Sequence, residues 1–174
     1  MRSSSLLRAA AITLALCSLG QAPATAPATA PTAGSTLLLD MEGGKSLTLS
    51  DAEVAALPHE QVKAAEHSGT VATYSGVPLD KLLEKIDAPF GEKNLRGKNM
   101  ALYVVAEGAD GYKTTFSLTE IDPGFSDRHI LVADLREGQP LAAKWGPLQL
   151  IVPTDKRQGR WVRMLTALHI RRAQ

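Results

Sequence analysis

Short apolar runs separated by turn residues dominate the chain from Ser35 onward. Residues 36–40 and 45–49 flank Gly43-Gly44 and predict a hairpin. Ser50-Asp51-Ala52-Glu53 has the spacing of a capping box, so a short helix opens there and stops before Pro58. Residues 61–66 and 71–74 read as strands, after which Gly76-Val77-Pro78 breaks the chain. A helix then covers residues 79–86, with Leu79, Leu82, Leu83 and Ile86 on one face.

Residues 100–107 form a strong strand centred on Leu102-Tyr103-Val104-Val105. Asp110-Gly111 turns it, and residues 112–116 return. Ser117-Leu118-Thr119-Glu120 is a second capping box, opening a helix that ends before Pro123. Residues 129–135 give a strand turned by Glu137-Gly138, residues 148–152 a continuous apolar strand closed by Pro153, and residues 166–170 the final strand. Many short strands with short helices between them describe a mixed α+β domain, mostly β, rather than a regular βαβ repeat.

The start of the chain has a different pattern. Residues 9–19 are an apolar run behind Arg2 and Arg8, too short to span a bilayer and without the polar face of a buried helix. Residues 1–22 therefore read as a secretory signal, and residues 23–34, with proline at 23, 27 and 31, as an Ala/Pro/Thr-rich spacer. One domain over residues 35–174 is expected. The sole cysteine, Cys17, falls in the leader, so no disulfide framework is expected. Leu14 and Ala15 precede it as in a lipid-addition signal, but Leu16 stands where a small residue belongs. The leader lacks an adjacent arginine pair, which favours general secretion of an unfolded chain.

Charge narrows the partners. Residues 1–34 hold Arg2, Arg8 and no acid, so removing them takes 19 bases to 17 against 18 acids, a net of −1. A near-neutral domain is not built for bulk binding of nucleic acid or a membrane surface. Membrane attachment follows only if Cys17 is lipidated.

Several segments in order resemble the sulfite-oxidase-type molybdopterin-binding domain family. They are Tyr74-Ser75-Gly76-Val77-Pro78-Leu79, Ala109-Asp110-Gly111-Tyr112 with Phe116-Ser117-Leu118, Glu137-Gly138-Gln139-Pro140, Gly146-Pro147-Leu148-Gln149, and Gly159-Arg160-Trp161-Val162-Arg163. The resemblance implies that family's fold. It also implies oxygen-atom transfer at molybdenum held by a pterin dithiolene and one protein thiolate. The ligand cysteine of that pattern should fall between the Ser50 helix and the Gly76 turn, yet residues 61–70 contain none. Alanine does not replace thiolate ligation. Gln149 stands where the family often has arginine, and Glu137 where it often has asparagine, which weakens the hold on a cofactor phosphate. Members that carry the cofactor outward normally cross the membrane folded, so an unfolded secretion route implies an empty domain.

Candidate chemistry outside that resemblance is sparse. His59, His67, His129 and His169 form no His-x-His or His-x3-His pair, so they read as surface or strand residues. His67 lies nearest the missing ligand position. No Gly-x-Ser-x-Gly elbow or glycine-rich phosphate loop occurs. By the resemblance, Asp110 and Tyr112 line the cofactor cleft, and Lys156, Arg157, Arg160 and Arg163 approach the pterin phosphate beside Trp161. The alternatives are a plain hairpin turn and a solvated basic turn. Trp145, Trp161, Met100 and Met164 read as partly buried core, and Arg171-Arg172 as a solvated tail.

The expectation is an exported domain that has lost metal chemistry, with no cofactor. It would bind a small anionic ligand or a periplasmic protein through His67, Asp110, Tyr112, Lys156, Arg157, Arg160 and Arg163. The alternatives are a molybdopterin-dependent oxidoreductase whose metal ligand is oxygen or histidine, and a structural envelope domain.

Overall fold

The computed structural model describes residues 35–174. The signal expected at residues 1–22, the spacer at 23–34 and Cys17 lie outside the described residues.

The hairpin forms as β1 (Thr36–Met41) and β2 (Ser46–Ser50), antiparallel with Thr36 opposite Ser50. Leu37 and Leu39 are buried on one face of β1 while their neighbours are not, the period of a half-covered strand. Ser50 caps α1 (Asp51–Ala55): its hydroxyl accepts from the Glu53 amide, and the Glu53 carboxylate accepts from the Ser50 amide.

β3 (Glu60–Ala65) and β4 (Val71–Pro78) correct one expectation. Gly76-Val77-Pro78 does not break the chain. β4 runs through it, and the register against the next sheet strand shifts between Ser75 and Gly76. Gly76 is glycine because of crowding: a Cβ there would lie 2.2 Å from the Val132 carbonyl oxygen and 2.4 Å from the Ala133 Cα. The glycine marks a bulge and a close backbone approach.

α2 is shorter than expected (Leu79–Glu84), but Leu79, Leu82, Leu83 and Ile86 are all fully buried. Burying each such side chain stabilises the fold by roughly 1.5–3 kcal/mol as an upper figure. A 3-10 turn (Gly97–Ala101) precedes β5 (Leu102–Gly108) and β6 (Lys113–Ser117). Met100 therefore sits outside the strand expected at residues 100–107 and is 48% exposed, not in the core, because the 3-10 turn points it outward from the β5 alternation. Ser117 caps α3 (Leu118–Ile121) with the second capping box.

β7 (Leu131–Arg136) and the two-residue β8 (Gln139–Pro140) enclose a turn in which Glu137 and Gly138 both have positive φ, 51° and 72°. Asn or Gly is the usual choice at such a position. Here the Glu137 carboxylate accepts from the Thr73 amide at 2.6 Å, and the Glu137 amide donates to the Thr73 carbonyl at 2.8 Å. Those two bonds fasten the turn to β4 and offset the backbone cost. β9 (Gln149–Ile151), a 3-10 turn (Gln158–Arg160) and β10 (Leu165–Arg172) complete the domain.

One sheet runs β2-β1-β10-β5-β6, and the other β3-β4-β7-β8 with β9 also paired to β7. β10 is parallel to β1 and antiparallel to β5. Residues of both sheets and all three helices share one hydrophobic core. Arg171 and Arg172 are not a tail, a second correction. They extend β10 opposite Tyr103 and Leu102, and the Arg171 guanidinium lies 2.6 Å from the Asp40 carboxylate. The architecture is α+β and mostly β. Among the described residues no helix is long and apolar enough to cross a membrane.

Candidate functional site

The ends of the second sheet's strands surround a cleft of about 580 Å³. The turn after β3 supplies Glu66, His67 and Ser68, the end of β7 supplies Arg136, the β7–β8 turn supplies Glu137, and the segment before β9 supplies Lys144 and Trp145. A second hollow of about 240 Å³ adjoins it, bounded by Asp110, Tyr112, Gly159 and Arg163. Trp145, Gln149, Gln158 and Trp161 line both, so the two are lobes of one depression.

Its walls are held by specific contacts. Tyr74 and Trp161 meet edge to face, with ring centroids 5.6 Å apart, and the Trp161 Nε1 donates to the Val152 carbonyl at 3.0 Å. Both rings are buried and fixed. The Gln158 side-chain amide donates to the Ala65 carbonyl at 3.0 Å, which ties the second 3-10 turn to the end of β3. The Tyr112 hydroxyl donates to the Gly159 carbonyl and joins the β5–β6 turn to that same segment.

At one end of the larger lobe the Glu66 carboxylate accepts from the Tyr74 hydroxyl at 2.8 Å and from the Arg136 Nε at 2.6 Å. The Arg136 bond holds the Glu66 carboxyl below the usual glutamate range. Burial, aided by the Glu66 charge, pushes the Tyr74 phenol up to about 12. The pair is a neutralised ion pair with a protonated phenol, and one carboxylate oxygen accepts both hydrogen bonds. At the boundary between the lobes Lys144 Nζ lies 5.0 Å and the Arg163 guanidinium 5.4 Å from the centre of the Trp145 ring. Arg163 is only loosely paired with Asp110, at 3.7 Å.

The expected site residues divide. His67 lines the larger lobe, while Asp110, Tyr112 and Arg163 line the smaller one. The expected basic cluster is not one patch. Arg160 turns inward, with its guanidinium 2.6 Å and 2.7 Å from the two Asp155 carboxylate oxygens and 3.0 Å from Glu120, stacked 4.7 Å over Phe116. That carboxylate pairing raises the Arg160 guanidinium above its ordinary value and lowers Asp155. Its fork is therefore occupied by structural carboxylates, not left for a ligand. Lys156 and Arg157 are exposed and border neither lobe.

Sequence reading missed Glu66, Arg136, Lys144 and Gln158 as cleft residues. The Glu66–Arg136 pair spans 70 residues and has no local signature. Only the tryptophan beside a lysine at Lys144-Trp145 was a visible hint. Gln149 was noticed, but not that it is 5% exposed and sits between the lobes. For metal chemistry the donor set is thin: the described residues contain no cysteine and no group of three or more His, Cys, Asp or Glu placed to hold an ion.

Comparison with known proteins gives a consistent fold. The family described as oxidoreductase molybdopterin binding domain matches residues 38–174. Among solved structures the chain is similar to the sulfane dehydrogenase SoxCD from Paracoccus pantotrophus, at 19% identity and a TM-score of 0.60. The likeness covers 78% of this chain but 37% of that one, so it shows the fold alone. No curated protein matches the chain by sequence.

Proposed function

From membership of the oxidoreductase molybdopterin-binding domain family, to which this chain belongs, we propose that it works without metal, as a periplasmic module that binds a small ligand or a protein partner in the two-lobed cleft. The domain is molybdopterin-oxidoreductase-like in fold. The observation that carries the rest is the donor set. Residues 61–70, where the resemblance calls for a thiolate, offer Glu66, His67 and Ser68 toward the cleft and no cysteine, and one Glu66 oxygen is taken by both Tyr74 and Arg136. Those residues do not fit a thiolate-held molybdenum.

What the cleft retains suits binding. Trp145 and the buried Trp161 line both lobes, and Lys144 and Arg163 beside the Trp145 ring favour an anionic group on the ligand or an acidic patch on a partner. The basic, apolar pattern of residues 1–22 supports a site of action outside the cytoplasm.

Two measurements on protein purified from its own compartment test the proposal. Metal analysis and pterin fluorescence should show far less than one molybdenum and one pterin per chain. A thermal-shift series of small anions and metabolites should give at least one concentration-dependent rise in Tm, because a ligand of the native state stabilises by mass action. Stoichiometric molybdenum would overturn the metal-free reading. No rise with any compound, together with no co-purifying protein, would favour a structural role.

A further inference from the structure

A separate pocket lies at the other end of the second sheet. β4 and β7 pair from Tyr74 opposite Arg136, at the cleft, to Pro78 opposite Leu131. Beside that far end Pro78, Asp80, Ile121, Asp127 and Ile130 help to line a hollow of about 170 Å³ that shares no residue with the cleft. It is smaller than the about 300–1,000 Å³ of a site for a drug-sized ligand, and suits one side-chain-sized group.

Its walls are fixed. The Asp122 carboxylate, on a buried residue, accepts from the Gly91 and Gly124 amides, and the Asp122 carbonyl accepts from the Phe125 and Ser126 amides. The Leu79 amide donates to the Ile130 carbonyl at 2.9 Å and ties the start of α2 to the end of the 122–130 loop. Pro78, Ile121 and Ile130 are buried and make the lining apolar.

Asp80 is the buried polar group of this pocket. The residue is 9% exposed, and among the described residues no side chain hydrogen-bonds its carboxylate. Lys81 Nζ stands 3.6 Å from Oδ2 and is itself held by Glu84 at 2.7 Å. Burial pushes the Asp80 carboxyl above the ordinary aspartate value, and the Lys81 charge and nearby amides offset that only in part. A carboxylate so placed is costly until a cation completes it. The remaining charges leave the pocket negative. Asp127 makes no ion pair among the described residues, Arg128 is turned to Glu120 at 2.9 Å and Asp155 at 3.7 Å, and the exposed His129 stands 4.0 Å from Glu60. Lys81 faces one Asp80 oxygen, which leaves the other for an ammonium but not a whole edge for the fork of a guanidinium.

We propose that this pocket binds an aliphatic primary ammonium of about the length of a lysine side chain. Asp80 takes the charge, and the proline and isoleucine walls take the methylenes. The site is independent of the cleft, and neither reading requires the other.

n-Butylammonium and n-butanol, alike in length and different in charge, are the probes. Each is titrated against the full chain at neutral pH and physiological salt, with the Ile121 and Ile130 methyl signals and the Asp80 carboxyl carbon followed by NMR. Butylammonium should bind about tenfold more tightly than butanol, the effect of one hydrogen bond to a charged group, and should shift those signals. Asp80→Asn should remove the advantage and leave the weak binding of butanol. If that variant does not fold, the wild-type affinities and signals decide alone. Nα-acetyl-lysine methylamide identifies the source: binding as tight as that of butylammonium supports a lysine carried by a partner chain, and binding of butylammonium alone supports a free amine. Equal binding of amine and alcohol, or amine binding that leaves Ile121 and Ile130 unmoved, overturns the inference and leaves the cleft reading standing.

Discussion

Glu66 follows β3 and Arg136 ends β7, yet the Arg136 Nε lies 2.6 Å from the Glu66 carboxylate across the end of the second sheet. The pair closes one wall of the cleft. Its Tyr74 partner packs on Trp161, so electrostatics and ring packing at this corner are coupled.

The pair makes stability depend on acid. The Arg136 bond lowers the Glu66 carboxyl from its ordinary value of 4.5, so its contribution is fully present above that value and is lost as pH falls through the lowered one. Arg136→Met should cost about 1 kcal/mol near neutral pH, since the guanidinium is partly solvated. Urea unfolding of both proteins from pH 7 down to pH 3 should show the difference shrinking with acid. A constant difference would mean that Arg136 acts through packing.

Gly76→Ala should be severe. The added carbon would meet the backbone of Val132 and Ala133, which cannot rotate away as a side chain would. A loss of about 3 kcal/mol is expected, read as a lower urea midpoint at unchanged slope. The same change at Gly159, where a Cβ would meet nothing within 4 Å, serves as the control.

Ser117→Ala removes the acceptor for the Glu120 amide and the N-terminal half of the α3 capping box. About 1 kcal/mol of stability should go with it. Glu120 also receives Arg160 and Arg128, so its own replacement by Gln should cost more than the cap alone. Chemical denaturation of both variants ranks them.

A chain stopping after Ile170 should be measurably less stable, by about 2 kcal/mol for the lost strand bonds and the Asp40–Arg171 pair. Differential scanning calorimetry against the intact chain checks it. An unchanged Tm would restore the view that these arginines are solvated.

Elements set by neighbours in sequence were legible. Ser50 with Glu53 and Ser117 with Glu120 marked both caps, and Asp110-Gly111 and Glu137-Gly138 marked their turns. Gly76 misled because its role depends on Val132, a contact far along the chain, whereas the pattern around it looked like a local break. The basic turn misled for a similar reason. Lys156, Arg157, Arg160 and Arg163 are near in sequence, but Arg160 finds Asp155 and Glu120 inward while Arg163 turns to Trp145. Charge in a sequence carries no information about which charges are already matched.

β10 lies between β1 and β5, and it is what joins them. In a fragment ending before Leu165 the first sheet would fall into two separate hairpins, β1–β2 and β5–β6, with no strand to bridge them, while the pairings of the second sheet would all still be present in the chain. Assembly waits for the most distant pairing in the chain, which places it among slow-forming topologies. Until that pairing is made, the segments on either side remain free to be held, threaded or degraded by whatever reaches them first.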